Sequence, residues 1–216
     1  MFPVQSNHAL RWLLALLALF AVAACTKAPS HAVVPRGAVV LAFGDSVTHG
    51  TGAAAGEGYV ERLAARSGWD IRNHGVPGDT AENARGRLAA ALDETQPALV
   101  IVELGGNDFL RRTAEGNVKN YLRKIIQQAK GNNRPVVLVA VPRLSLVGAA
   151  VGALSDAPLY AELADEENVV LVADVFADVL STPALRADAV HPNAEGYARL
   201  ADGMARQLES AGLLAR

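Results

Sequence analysis

The sequence predicts a three-layer α/β/α domain built on a five-stranded parallel sheet of flavodoxin-like type. Two observations carry that expectation. Short runs that are apolar at every position alternate with amphipathic stretches of helical period. Strands that are apolar on both faces belong in a parallel sheet covered by helices. The length agrees: 216 residues at 51% hydrophobic and 19% charged fit one domain with an ordinary core.

In chain order, the first strand is Ala38–Phe43 (AVVLAF), an apolar run ended by Gly44. Tyr59–Ser67 reads as a helix, and Asp70–Asn73 (DIRN) as a weaker strand. Thr80–Leu92 reads as one helix, with Asp79 and Glu82 spaced for a capping box. Leu99–Glu103 (LVIVE) is rich in β-branched residues and forms the third strand. Val118–Ala129 carries apolar residues at 118, 121, 122, 125, 126 and 129, the spacing of one helix face. Val136–Val141 (VVLVAV) is the fourth strand, Leu159–Glu167 a helix, and Val169–Ala173 (VVLVA) the fifth strand. The last helix starts after Asn193, an N-cap by residue type, with Tyr197, Leu200, Met204 and Leu208 along one stripe. There is no internal repeat. One long, mostly apolar connection stands out, Pro142–Pro158 (PRLSLVGAAVGALSDAP).

The amino end has a different character. Residues 1–24 hold 18 hydrophobic residues and the single charge Arg11, and Trp12–Ala24 is an unbroken apolar run of 13. A spanning helix needs roughly 17–25 such residues, so the layout fits an export signal. The only cysteine, Cys25, closes the run and resembles the lipidated residue of a bacterial lipobox; an alternative is simple cleavage after Ala21-Val22-Ala23. The expected organisation is a signal peptide over 1–24, a lipid-anchor cysteine and tether over 25–37, and the domain over 38–216. The expected location is the periplasm or cell envelope, membrane-anchored through Cys25, or else soluble after export.

Composition also excludes functions. A net charge of -2 and 5% aromatic residues leave no footprint for nucleic acid. A single cysteine permits neither an internal disulfide nor a thiolate metal cluster. The five histidines do not cluster with acids at metal-ligand spacing, so no metal is expected. Gly50–Gly56 is one residue too long for G-x-G-x-x-G, there is no P-loop, and no cofactor is expected.

Ligands of an open parallel sheet bind outside the carboxyl ends of its strands. The segments there are Gly44-Asp45-Ser46, then Asn73–Thr80 (NHGVPGDT), then Gly105-Gly106-Asn107-Asp108; Asp188–Asn193 (DAVHPN) precedes the last helix. They supply a hydroxyl, glycine N–H groups, an amide and an Asp/His pair, the groups that acyl transfer uses. His49 and His74 lie nearby without a motif, and Glu57 and Glu103 lack a partnering carboxylate at a recognisable spacing.

FGDSVTHGTGA, NHGVPGDT, ELGGND and DAVHPN, in that order, resemble the four blocks of the SGNH, or GDSL, hydrolase family. Within it the chain is similar to the bacterial arylesterase and periplasmic thioesterase/lysophospholipase type. The resemblance implies the SGNH hydrolase fold and an esterase. Ser46 would be the nucleophile, His191 the general base and Asp188 its orienting carboxylate. The Ser46 N–H, Gly78 N–H and Asn107 amide would form the oxyanion hole, with Gly75 as the rival of Gly78. One departure is Ala189, where family members often carry glycine; the D-x-x-H spacing is intact.

Leu144, Leu146 and Val147 of the long connection are expected to line an acyl pocket. The expected partners are a small acyl ester or thioester, and a membrane through the anchor, with the chain acting as a monomer. The alternatives left open are a non-catalytic lipid- or glycan-binding lipoprotein on the same fold, and an esterase of acetylated glycans.

Overall fold

The structure is a computed structural model that describes residues 32–143 and 154–215. Its sheet has five strands in the order β2-β1-β3-β4-β5, and every neighbouring pair is parallel. The strands are β1 Val39–Gly44, β2 Asp70–Gly75, β3 Leu99–Glu103, β4 Val136–Val139 and β5 Val170–Val172. This is the flavodoxin-like order, and the order reverses between β1 and β3. The loops after those two strands therefore diverge and open a crevice at the carboxyl edge.

The helices are α1 Ser46–His49, α2 Tyr59–Ser67, α3 Ala81–Arg85, α4 Leu88–Thr95, α5 Gly106–Leu110, α6 Glu115–Ala129, α7 Leu159–Glu167, α8 Val175–Ser181 and α9 Ala194–Ser210. Single 3₁₀ turns follow α6 (Gly131–Asn133) and α8 (Pro183–Leu185). The core runs through the middle of the sheet. Val40 to Phe43, Leu99 to Val102 and Val137 to Leu138 are wholly buried, and Leu63, Leu122, Ile125, Leu200, Met204 and Leu208 close over them from the helices. Full burial of such a side chain contributes about 1.5–3 kcal/mol. β2 is the exception, because Asp70, Arg72 and Asn73 are exposed. It is an edge strand whose charges discourage further pairing.

Three local expectations change. The stretch Thr80–Leu92 is two helices, α3 and α4, parted at Gly86 and Arg87. No Asp79/Glu82 capping box forms: Thr80 is the N-cap of α3, its Oγ accepting the Asn83 N–H at 3.2 Å. Both changes have one cause. The Asp79 carboxylate is drawn to the Arg87 guanidinium at 2.7 Å, and the chain breaks helix to turn Arg87 inward. β2 runs on to Gly75, two residues past the expected end, while β4 stops at Val139 and β5 at Val172. The short helices α1, α5 and α8 carry too few turns to leave a period in the sequence. Among the described residues, no helix is long and apolar enough to cross a membrane.

Candidate active site

Ser46 stands where β1 gives way to helix. Gly44 ends the strand, and the Asp45 carboxylate accepts the Val47 N–H at 3.1 Å, which makes Asp45 the N-cap of α1. Ser46 is the first helical residue, half-buried at the mouth of the crevice. Its Oγ lies 2.9 Å from His191 Nε2, and His191 Nδ1 lies 2.8 Å from Asp188 Oδ2. A carboxylate on Nδ1 selects the tautomer whose Nε2 accepts, so the hydroxyl donates toward the imidazole.

Asp188 and His191 sit on a tightly tied loop. The other Asp188 oxygen accepts the Val190 and His191 N–H groups at 2.8 and 2.9 Å. Partial burial works against ionisation of Asp188, but these bonds and that of the imidazole hold its carboxyl below the usual range. Ala187 N–H donates to the His191 carbonyl and Asn193 N–H to the Leu185 carbonyl, both at 2.9 Å. Asn193 is the N-cap of α9, accepting the Gly196 N–H at 3.0 Å. Gly52 passes against the back of this loop. A Cβ on it would lie 2.4 Å from the Pro192 carbonyl oxygen and 3.1 Å from His191 Cβ, and its φ is +101°.

The other loops bring donors to the same place. Gly78 has φ +86° and lines the crevice. Within the described residues, neither the Ser46 nor the Gly78 N–H donates to a protein acceptor. The Gly75 N–H is taken by its neighbour Asn73, whose Oδ1 accepts it at 2.9 Å, so the rival position is spent. The Asn107 amide nitrogen lies 3.0 Å from Asp45 Oδ2 and 3.0 Å from the Asp79 carbonyl oxygen. Those two acceptors fix which end of the amide is nitrogen.

Further bonds lock the second and third loops together. Asp108, buried, accepts the Ala81 N–H at 2.8 Å, and Arg111 Nη2 donates to the Gly78 carbonyl at 3.0 Å. Arg87 binds from beneath. Its Nε donates to Asp79 Oδ2 at 2.7 Å, Nη1 to the His74 carbonyl at 2.8 Å and Nη2 to the Gly44 carbonyl at 2.8 Å. Its guanidinium also sits 4.2 Å over the Phe43 ring, a cation–π contact. One side chain thus ties the ends of β1 and β2 to the loop that carries Gly78.

The crevice holds a cavity of about 220 Å³ lined by Ser46, Gly78, Asn107 and His191 together with the apolar Val47, Leu110, Val141, Phe176 and Val190. Leu110 and Phe176 escaped notice because they lie on α5 and α8, the short helices without a readable period. Leu144, Leu146 and Val147, expected to line the pocket, lie outside the described residues, as does Cys25. The ends of their connection are pinned: Pro142 pairs with Asp156, and the Ala157 N–H donates to the Val141 carbonyl at 3.1 Å. Among the described residues, no group of three or more histidine, cysteine or acidic side chains could hold a metal ion.

The site also contains what sequence spacing could not show. Glu103 does have a partnering carboxylate, and it is Asp45, 58 residues away in the chain but adjacent across the β1–β3 pair. Asp45 is 2% exposed and Glu103 1%. Neither His49, exposed, nor His74, half-buried, lines the crevice.

Comparison with known proteins identifies the family. The model of the GDSL-like Lipase/Acylhydrolase family matches residues 42–199. The chain is 32% identical over 173 residues to the Thioesterase 1/protease 1/lysophospholipase L1 of Escherichia coli, covering 79% of this chain and 83% of that protein. It is 31% identical over 172 residues to the Esterase TesA of Pseudomonas aeruginosa, with 76% and 85% covered. Among solved structures, the crystal structure of TesA superposes with a TM-score of 0.69 at 29% identity, covering 80% of this chain and 99% of that one. AlinE4, an SGNH-hydrolase family esterase, superposes with a TM-score of 0.62 at 30% identity over 82% and 98%. With the family model spanning every block of the crevice, the chain belongs to the GDSL-like lipase/acylhydrolase family.

Proposed function

We propose that the protein is a serine hydrolase that cleaves acyl esters and thioesters. The observation that carries the reading is the line of contacts Ser46 Oγ to His191 Nε2 at 2.9 Å and His191 Nδ1 to Asp188 Oδ2 at 2.8 Å. A serine hydroxyl is a weak nucleophile until a base takes its proton. In this reading His191 accepts that proton as Oγ attacks the acyl carbonyl, and Asp188 stabilises the imidazolium. The carbonyl oxygen becomes an oxyanion facing the free N–H groups of Ser46 and Gly78, and the Asn107 amide turns toward it the hydrogen it otherwise gives the Asp79 carbonyl. His191 then returns the proton to the leaving alcohol or thiol. Water, deprotonated by the same base, releases the acyl group from Ser46.

The acyl group is the apolar part of the substrate. Val47, Leu110, Val141, Phe176 and Val190 offer it no hydrogen-bonding side chain, and the cavity is small. Short and medium acyl or aryl groups fit that lining better than a sugar. The test is hydrolysis of p-nitrophenyl esters from acetyl to octanoyl by the wild type and Ser46→Ala. Wild-type activity on at least one of these esters, lost in Ser46→Ala, is expected. Equal activity in the two proteins ends the reading.

The amino-terminal segment belongs to the same proposal. The apolar run Trp12–Ala24 followed by Cys25 supports export and lipidation at Cys25. The membrane-extracted protein should then begin at a diacylated Cys25, read by intact mass. A start at an unmodified Ala24 or Cys25 refutes the anchor and leaves the hydrolase reading untouched.

A further inference from the structure

Behind the nucleophile lie two carboxyl groups that the proposed reaction does not use, Asp45 and Glu103. Both are buried, and within the described residues no lysine or arginine side chain bonds to either. The groups facing them come from every neighbouring element. Asp45 accepts the Val47 N–H on α1 and an Asn107 amide N–H on α5, and it faces the His191 imidazole. Glu103 accepts the Thr48 hydroxyl at 3.0 Å, and Thr48 Oγ is 2.8 Å from the Tyr59 hydroxyl on α2. Tyr160 on α7 and Tyr197 on α9 are near but donate elsewhere, to the carbonyls of Leu104 and Thr51. The Arg87 guanidinium is committed to Asp79 and two carbonyls.

Two adjacent buried carboxyls without a cation cannot both ionise. Hydrogen-bond directions decide which keeps the proton. Thr48 has one hydroxyl hydrogen and gives it to Glu103, so Tyr59 donates to Thr48. Asp45 has the richer set of donors and the nearby imidazole, so it is the better carboxylate. Burial raises both groups, Asp45 to about 6 and Glu103 well above the usual range. The order agrees with the donor count.

We propose that Asp45 and Glu103 are a proton-sharing pair in which neutral Glu103 donates to ionised Asp45, and that Asp45, so held, orients the Asn107 amide in the oxyanion hole. The proposal rests on the reading of Asn107 as an oxyanion donor. The donor chain runs Tyr59 to Thr48 to Glu103 to Asp45, and Asn107 closes it from the other side. Asp45 and the Asp79 carbonyl take the two amide hydrogens, so an oxyanion takes over the one on the Asp79 carbonyl while Asp45 holds the other and keeps nitrogen toward the crevice. With a donor there in place of Asp45, the amide keeps only the Asp79 carbonyl as a tether, the same bond it must give up to reach an oxyanion, so its aim is lost. Asp45 and Glu103 are therefore positioning residues, not catalytic ones.

Substitutions separate this role from simple packing. In Asp45→Asn one carboxylate oxygen becomes a donor, facing either Asn107 or the Val47 N–H, and both arrangements fail. We expect kcat on a p-nitrophenyl ester to fall about 10²–10³-fold, the loss typical of one oxyanion donor, with KM within threefold. Glu103→Leu removes the donor to Asp45 and should lower kcat at least tenfold. Glu103→Gln can accept from Thr48 through its oxygen and donate to Asp45 through its nitrogen, so it should recover most of what Glu103→Leu loses. A packing role would not discriminate Gln from Leu in that direction while leaving KM fixed.

Infrared spectroscopy gives a readout without turnover. The wild type at pH 7 should show the carbonyl band of a protonated carboxylic acid that disappears in Glu103→Gln. Its absence from the wild type overturns the pair. This measurement also decides if Asp45→Asn fails to fold. Asn107→Ala distinguishes the two levels of the argument. If it leaves kcat intact, the oxyanion reading of Asn107 fails, and with it the positioning role. If it lowers kcat a hundredfold while Asp45→Asn and Glu103→Leu stay within threefold of wild type, the positioning role alone fails.

Discussion

Replacing Arg87 by methionine tests how the crevice is held open. The arginine side chain is 26% exposed and its Asp79 partner 14%. Three donors are lost, to Asp79 Oδ2 at 2.7 Å and to the His74 and Gly44 carbonyls at 2.8 Å each. Hydrogen bonds to charged groups contribute about 1.5–3 kcal/mol each, but three on one guanidinium are not additive. Breaking a buried charged pair by removing one partner costs about 3–5 kcal/mol. Partial exposure moves the expectation to the lower end, about 3 kcal/mol. For a domain of this size that is a Tm fall of about 6–12 °C. The Gly78 loop loses its underside tie at the same time, and a misplacement of about 1 Å can lower turnover as much as about 10²-fold. Arg87→Lys should rescue little, because one ammonium cannot reach three divergent acceptors. Scanning calorimetry and ester kinetics on the three proteins measure both effects. A Tm within about 2 °C of wild type, with kcat within twofold, would show that the clamp contributes nothing.

Two further outcomes follow from the geometry. Gly52→Ala places a Cβ 2.4 Å from the Pro192 carbonyl and 3.1 Å from His191 Cβ, so the loop that carries His191 must shift. Its kcat should fall at least tenfold with little change in KM, and an unchanged kcat refutes the contact. The pH dependence of stability has a definite sign. Burial raises Asp45 to about 6 and also raises Glu103, Asp108 and Asp156. The native state keeps protons that the unfolded chain releases, so stability is lost as pH rises through the window from about 4 to 6 and beyond. The lowered Asp188 acts oppositely, and only as pH falls below the usual carboxylate range. The urea midpoint should therefore be higher at pH 5 than at pH 8, and a midpoint that climbs steadily over that interval refutes the assignment.

Much of this was legible in the sequence. Apolar runs such as Leu99–Glu103 announce buried parallel strands, because nothing in them needs water on either face. Ser46, Gly78, Asn107, Asp188 and His191 were each readable from a motif after a strand or before the last helix, and the fold gathers them at one edge. What stayed hidden depends on long-range neighbours. Glu103 looks like a strand end with no partner, since Asp45 meets it only through β1–β3 pairing. Arg87 looks like an exposed helix residue until the break at Gly86 turns it inward. Leu110 and Phe176 belong to helices too short to show a period. Gly52 sits in a stretch whose spacing resembles a failed dinucleotide loop, while its use is to let the His191 loop approach.

The central claim is that Ser46 becomes acylated with His191 as its base. The most direct measurement is labelling by a fluorophosphonate, read as mass on the peptide that contains Ser46. The wild type should take up one label, at Ser46, in step with loss of ester hydrolysis. His191→Ala should label at least a hundredfold more slowly. Label at another residue, or hydrolysis that survives full labelling of Ser46, would contradict the account.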